Sequence, residues 1–112
     1  MFAVIYQAYI KPEKEEEYQK LWHQIAAYFV EKRGALGSTL HKMENGMWLA
    51  YSRWPDKKTR DASWSSDDNA GKEGIPLEIK HASEQLKNCI DRERDFMEIP
   101  LTVVDDLLLK KV

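Results

Sequence analysis

The chain has 112 residues, of which 43% are hydrophobic and 32% are charged, and its net charge is −2 at pH 7. This length suits a single domain with one core, and the apolar content excludes a disordered chain. The near balance of charges argues against a nucleic-acid-binding protein, which needs a clustered basic surface. The densest basic cluster, Lys57, Lys58 and Arg60, is interpreted as a solvated helix face.

The sequence also limits where the protein resides. It contains no run of about 18 apolar residues, so no membrane span is predicted. The stretch from Met1 to Ile10 lacks a basic leader and a small-residue cleavage site, which argues against a secretory signal. Cys89 is the single cysteine, so an intramolecular disulfide is excluded and a reducing compartment is favoured. We therefore expect a cytoplasmic protein.

The first predicted elements are a strand and a long helix. Phe2 to Ile10 is rich in Val, Ile, Tyr and Phe, which is typical of a strand covered on at least one face and partly on both. A helix is predicted from about Pro12 to Arg33, with glutamates in its first turns, where the helix dipole favours negative charge. Gly34 ends it with a left-handed cap. The apolar residues of this helix form one stripe: Tyr18, Leu21, Trp22, Ile25, Ala26 and Phe29.

A β-hairpin is predicted next. Two strand-like runs, Ser38 to Met43 and Met47 to Trp54, flank Asn45-Gly46. This dipeptide favours a two-residue turn with positive φ at both central positions. Pro55 then ends the second strand, and a helix is expected to begin near Asp56.

The second half of the chain alternates between polar and apolar segments. Ser65 to Gly74 is polar and is interpreted as a loop or a frayed helix end. Pro76 restarts an amphipathic helix that is expected to reach about Arg94. Phe96 to Val104 is strand-like, although Pro100 confines that strand to an edge, a bulge or an interchain position. The tail from Asp105 to Val112 continues the strand or forms a short helix.

The resulting order is β-α-β-β-α-β, with the second helical region split in two. This order predicts a ferredoxin-like α+β fold, in which helices cover one face of a four-stranded antiparallel sheet. Both faces of the first strand are largely apolar, and one layer of helices cannot cover both. We therefore expect a second copy of the chain to cover the other face, which makes the protein a homodimer.

The pattern resembles the antibiotic biosynthesis monooxygenase (ABM) domains of the dimeric α/β-barrel superfamily. The resemblance spans Phe2 to Trp64 and the final strand. It is carried by Lys11-Pro12-Glu13, Gly37-Ser38-x-x-His41, the Asn45-Gly46 turn and Trp54-Pro55. It implies a single ABM-like domain over residues 1–112, whose subunits join their sheets into a barrel. Each subunit would hold a pocket between its helices and its sheet.

The resemblance implies a cofactor-independent monooxygenase that acts on a small aromatic, phenolic or quinol-like compound. Such an enzyme needs an apolar chamber, aromatic walls and a few polar groups that position and ionise the substrate. The candidate catalytic residues are Gln7, His41, Tyr51 and Trp64. The candidate substrate-binding residues are Tyr6, Tyr9, Trp48, Arg53 and Trp54. The structural alternative is that most of these aromatics fill the core or an interface, and that Arg53 forms a salt bridge at the rim.

Two other functions stay open. The haem-degrading branch of the family implies an amide, a tryptophan and a histidine in the site, for which Gln7, Trp64 and His81 are the nearest matches. His81 would then ligate the iron through its imidazole, with a solvent-facing helical histidine as the structural alternative. The third possibility is a non-catalytic dimer that binds a small molecule. The sequence has no phosphate-binding glycine loop, zinc-type Cys/His spacing or nucleophile elbow, and no metal site is predicted.

Overall fold

The computed structural model describes residues 1–63, 74–94 and 96–107. Its elements in chain order are β1 (Phe2–Tyr9), a 3-10 turn (Pro12–Lys14), α1 (Glu15–Lys32), β2 (Gly37–Lys42), β3 (Met47–Trp54), α2 (Lys57–Ser63), α3 (Leu77–Asn88) and β4 (Met97–Thr102). The strands form one antiparallel sheet in the order β2-β3-β1-β4. The predicted ferredoxin-like α+β fold, with its second helical region split in two, is confirmed.

The helices cover one face of this sheet. Side chains alternate along a strand, so Phe2, Val4, Tyr6 and Ala8 of β1 all point toward the helices. Two neighbouring core clusters lie between the two layers. The first cluster contains Phe2, Val4, Phe29, Ala35, Trp54, Ile75 and Ile79. The second contains Ala8, Ile10, Tyr18, Leu21, Trp48, Ala82 and Cys89.

The opposite face of the sheet carries no helix in the described part of the chain, and we call it the helix-free face. Its central position is occupied by Ile5 of β1, which pairs with Tyr51 of β3 and Ile99 of β4. Leu49 and Leu101 lie on the same face by strand alternation. None of these five residues is fully buried, so the second apolar face predicted for the sheet is present.

The hairpin is confirmed, but the expected two-residue turn is wrong. The amide of Met43 donates to Met47 O at 2.7 Å, so three residues form the loop. The amide of Gly46 donates to Met43 O at 3.0 Å, and among the described residues positive φ occurs at glycines alone. Asn45 therefore occupies an ordinary turn position and Gly46 alone (φ 88°) adopts the left-handed conformation. This three-residue loop is a common alternative for hairpins.

The end of α3 also differs from the prediction. The helix stops at Asn88 rather than near Arg94, because the chain returns to the sheet there. The Cys89 carbonyl accepts from Lys11 N at 2.9 Å, and Asp91 N donates to Tyr9 O at 2.8 Å. Ile90 forms an isolated antiparallel bridge with Ile10.

Strand β4 lies at the edge of the sheet, which is one of the three positions that Pro100 allows. The strand is shorter than predicted at both ends. Residues 65–73, which are most of the segment interpreted as a loop, lie outside the described residues, as does the end of the tail, 108–112. Residues 105–107 belong to neither a helix nor a strand.

Alanine substitutions at Gly34 and Gly46 test the role of Gly34 at the end of α1. Gly34 has φ 87° and its position for a Cβ lies 3.3 Å from Thr59 Cγ2, whereas Gly46 has φ 88° and open space around it. Gly46→Ala is expected to cost roughly 1–2 kcal/mol of unfolding free energy, which is the strain of a left-handed alanine. Gly34→Ala should cost more, because the methyl group also presses on α2. Urea unfolding of both variants measures this difference, and equal losses would contradict it.

Candidate active site

A cavity of about 220 Å³ lies between the helix-covered face of the sheet and helices α1 and α3. Its walls are mostly apolar and include seven aromatic residues, which are Tyr6, Tyr18, Trp22, Phe29, Tyr51, Trp54 and Phe96. The polar side chains among its lining residues include Ser83 and Lys87 of α3. Ligand sites in proteins are typically apolar clefts with a few polar groups, and most are larger than about 300 Å³. This cavity therefore suits a small aromatic molecule.

Small residues create this space. Ala8 and Ala50 lie on the sheet between larger neighbours, and Ala26 and Ser83 face them from the two helices. Ala50 pairs with Tyr6 across β1 and β3, and Ala8 pairs with Trp48. An alanine beside each bulky aromatic residue leaves unfilled the space that a larger side chain would occupy. The cavity therefore follows from the sequence of the two central strands.

Three polar side chains lie close together at one end of the cavity, and we call them the Tyr6–Arg60–Glu98 cluster. Tyr6 and Glu98 are directly paired across β1 and β4 and project toward α2. Arg60 of α2 donates from Nη2 to the Tyr6 hydroxyl at 3.1 Å and to the Glu98 carboxylate. Its Nη1 also donates to Asp61 at 3.2 Å. Of these four residues, only Tyr6 lines the cavity.

Burial governs the charges in this cluster. Arg60 is 9% exposed, and its buried Nε has no partner among the described residues. A buried guanidinium needs anionic partners to offset its desolvation, and Glu98 and Asp61 provide them. Burial also raises the pKa of Tyr6, which Arg60 opposes and Glu98 reinforces. Tyr6 therefore presents a neutral hydroxyl at neutral pH.

Three of the predicted site residues lie on the helix-covered face: Tyr6, which lines the cavity, Trp54 and Trp48. Trp54 is 4% exposed, and its ring packs edge to face on Phe29 at 6.2 Å while lining the cavity. Trp48 is part of the core instead. Its ring meets Tyr18 at 5.5 Å, and its Nε1 donates to Glu15 Oε2 at 2.8 Å. Trp48 borders an open groove of about 860 Å³ between α1 and β2.

Other predicted residues lie on the helix-free face, away from the cavity. Gln7, Tyr9 and Arg53 point there by strand alternation. The guanidinium of Arg94 stacks on the Tyr9 ring at 3.5 Å, and Arg53 forms an ion pair with Asp106. Arg53 thus adopts the salt-bridged alternative.

The hairpin residues and Trp64 complete the predicted set. His41 is exposed on β2, with its Nε2 2.9 Å from Thr39 Oγ1, and it borders the open groove. Tyr51 borders the cavity between Ala50 and Ser52, but its side chain points to the helix-free face. The structure therefore does not bring Gln7, His41 and Tyr51 together in the cavity. Trp64 lies outside the described residues.

The cavity does not fit haem. His81 is exposed on α3, whose cavity-lining side chains are Ser83, Leu86 and Lys87. The chain has three histidines, and none of them lines the cavity. The described residues therefore supply no imidazole ligand for iron there, and the volume is below that of a typical site for a ligand of this size. The described ranges also contain no group of three or more metal-ligating side chains.

Arg60 and Glu98 were missed by the sequence analysis. Interpreting Arg60 as part of a solvated helix face was wrong, because this arginine packs under α2 against the sheet. The helical spacing was a usable signal, since Ser63, three residues later, is also buried. Glu98 had no such signal, because its position opposite Tyr6 depends on the register between β1 and β4.

Comparison with known proteins identifies the family. Residues 1–68 match the family model described as antibiotic biosynthesis monooxygenase, which is more than half of the chain. The chain belongs to the antibiotic biosynthesis monooxygenase family. No curated protein matches the sequence. Within the described ranges, no helix combines the length and apolar character that crossing a membrane requires.

Solved structures share the fold at low sequence identity. A variant of SnoaB, a cofactor-independent oxygenase from Streptomyces nogalater, superposes with a TM-score of 0.70 at 12% identity, covering 96% of this chain and 97% of that chain. Another antibiotic biosynthesis monooxygenase gives 0.68 at 17% identity, with 94% and 100% covered. Rv0793 from Mycobacterium tuberculosis gives 0.68 at 13% identity, with 95% and 97% covered.

The packing of Tyr18 in the cavity wall predicts a pH effect on stability. Burial raises the pKa of Tyr18 to about 12 from its ordinary value of 10.0. The folded state therefore disfavours the phenolate, so this contribution to stability is complete below pH 10 and is lost as the pH rises toward 12. Relative to Tyr18→Phe, the wild-type protein is expected to lose about 2 kcal/mol of unfolding free energy across this window. Urea unfolding at a series of pH values measures it, and parallel pH profiles for the two proteins would contradict it.

Proposed function

We propose that this protein is a cofactor-independent oxygenase that oxidises a small phenolic or quinol-like aromatic compound. The observation that carries the proposal is the mostly aromatic cavity between sheet and helices, with the Tyr6 hydroxyl held by a buried arginine at one end. Membership of the ABM family supports the same activity. The description of SnoaB as a cofactor-independent oxygenase is in line with it.

The chemistry requires little from the protein beyond binding and ionisation. An electron-rich phenolate can give an electron to molecular oxygen once it is held in a dry, apolar chamber. If the ring C–H opposite the hydroxyl and the C–OH itself both become carbonyls, one oxygen atom of O₂ enters the substrate and the other leaves as water with the two hydrogens. The substrate supplies all four electrons, so no external reductant is needed. The aromatic walls orient the ring, and the polar end of the cavity accepts the proton of the substrate hydroxyl when it ionises.

Oxygen consumption tests this proposal. Purified protein is expected to consume oxygen with at least one member of a panel of phenols, hydroquinones and fused-ring phenols. Ala26→Leu, which fills the cavity from α1, should reduce kcat/KM by about tenfold or more, as expected for an added group in an apolar pocket. Ala27→Leu is the matched control, because Ala27 is on the same helix and is not among the cavity-lining residues. It should retain activity within about twofold.

Two outcomes would contradict the proposed reaction or its location. If no member of the panel supports oxygen consumption while some members bind in the cavity, the protein is a binding dimer rather than an oxygenase. If the Ala26 and Ala27 variants lose activity equally, the reaction takes place elsewhere.

We further propose that two copies pair through their helix-free faces and that the protein resides in the cytoplasm. The support for pairing is the row of apolar side chains on that face, with Met97 50% exposed beside it. An uncovered apolar face of this kind is typical of a protein interface. The buried thiol of Cys89, which forms no disulfide, supports the location.

A charge on the helix-free face is expected to separate the subunits. Leu49→Asp places a carboxylate on that face, where pairing would bury it without a partner. Light scattering should give the mass of a dimer for the wild type and of a monomer for Leu49→Asp. Leu77→Asp is the control, because Leu77 is 66% exposed on α3, and it should stay dimeric. A monomeric wild type would contradict this part of the proposal.

A further inference from the structure

We propose that the outer edge of β2 binds an acidic, extended segment of a partner protein as an added strand of the sheet. The segment lies in the open groove between α1 and β2, whereas the proposed oxidation takes place in the cavity. The inference therefore goes beyond the proposed function. It rests on the free backbone groups of β2, on the walls of the groove and on the charge of its side chains.

The outer edge of β2 is unpaired in the described part of the chain. This strand is the last one in the sheet, next to β3. The amide of Met43 donates to Met47 O across the hairpin, and residues that bond across an antiparallel pair alternate with residues that do not. Counting back from Met43 in the observed register gives the residues whose backbone groups point outward. They are Ser38, Leu40 and Lys42.

The spacing of these backbone groups favours a peptide over a small anion. Each outward residue offers one amide and one carbonyl, and successive outward residues are about 7 Å apart along the strand. An extended backbone presents acceptors and donors with the same repeat, so it can bond to all three residues. Strand β2 contains no proline that would interrupt the row. This edge is therefore suited to strand addition.

The groove has the walls that an added strand needs. Its volume is about 860 Å³, with residues 38–42 of β2 along one side and α1 along the other. Side chains of an added strand would alternate between the two faces of the sheet. Those on the helix-covered face would meet Leu40, Trp22 and Trp48, which supply apolar surface. Those on the other face would meet Thr39 and His41.

The charge of the groove selects acidic side chains. Its ionisable lining residues are all basic among the described residues, and they are Lys20, His23, His41 and Lys42. Glu15 pairs with Lys42 at 2.9 Å, and Glu16 pairs with Lys20 at 3.4 Å. The Lys20–Glu16 pair is largely exposed, and exposed ion pairs contribute little to stability. Lys20 can therefore turn to a carboxylate of the bound segment.

The same charge argues against a second copy of the chain as the occupant. Antiparallel pairing of two β2 edges would bring the lysines and histidines of both copies into one place, and like charges on paired strands are destabilising. The acidic tail of another copy is also disfavoured, because Arg53 of the same chain holds Asp106. A segment of a different protein is therefore the favoured occupant.

Synthetic peptides test the inference on the full chain. The probe is a fluorescein-labelled hexapeptide of alternating glutamate and valine, and lysine replaces glutamate in the matched control. By fluorescence anisotropy at low salt, the acidic peptide is expected to bind at least about tenfold more tightly than the basic one, because like charges oppose the latter. No binding of the acidic peptide, or equal affinity for the two, would overturn the inference.

Methylated peptides separate strand addition from charge attraction alone. Two further forms of the acidic peptide carry N-methyl groups on the valine amides or on the glutamate amides, with all charges kept. Alternate amides of an added strand face β2 and the others face away. One methylated form should therefore bind at least about tenfold more weakly than the other, because it alone loses its bonds to β2. Equal affinities of the two forms would contradict an added strand.

Variants of the protein locate the binding to this edge. Leu40→Pro removes one outward amide, which an edge strand tolerates, and Leu40→Ala is its control because it keeps that amide. The proline variant should bind the acidic peptide at least about tenfold more weakly than the alanine variant. Equal affinities would overturn the inference. If thermal unfolding shows that the proline variant is not folded, the methylated peptides decide the same point.

A charge reversal tests the basic wall of the groove. Lys20→Glu should weaken binding of the acidic peptide and strengthen that of the basic one. Lys58→Glu makes the same change at an exposed site on α2 that does not line the groove, and it should match the wild type within about twofold. Equal effects of the two variants would overturn the location. If light scattering shows that the peptide displaces a second copy of the chain, that copy is the occupant and the inference is wrong.

Discussion

The register of strand β1 is the constraint on which the rest of this structure depends. As a central strand it must bond to β3 along its whole length and to β4 along most of it. The alternation of its side chains then decides what lies on each face of the sheet. A slip of one residue would move Tyr6 to the helix-free face and bring Gln7 under the helices. The core, the cavity and the polar cluster would all be lost together.

The polar cluster is the part of this arrangement with the greatest energetic risk. A buried arginine is tolerated only when its charge and its donors are met by partners, and removal of one partner is more harmful than removal of the pair. Here the partners come from three separate elements, since Tyr6 lies on β1, Asp61 on α2 and Glu98 on β4. Formation of the cluster therefore requires that α2 is docked and that β4 is in register, which links the geometry of the candidate site to completion of the fold.

The sequence was sufficient for most of the fold and for little of the site. Apolar periodicity and turn residues identified the strands and helices, because these signals are local and repeat along an element. The predictions that were wrong concerned features that depend on non-local contacts or on a choice among similar turns. Asn45-Gly46 fits a three-residue loop as well as a two-residue one, and the end of α3 depends on contacts of residues 89–91 with the end of β1. Gln7 and Tyr6 are neighbours in sequence, and only the location of the helices shows which of them meets the cavity.

Pro100 has a consequence for how this sheet can associate. An edge strand offers a row of free amides and carbonyls to any passing strand, and proteins guard against sheet extension by interrupting that row. Pro100 lies near the middle of β4 and has no amide to offer. Strand addition at this edge would therefore leave a gap in the new ladder. The outer edge of β4 is therefore protected against growth into larger sheets.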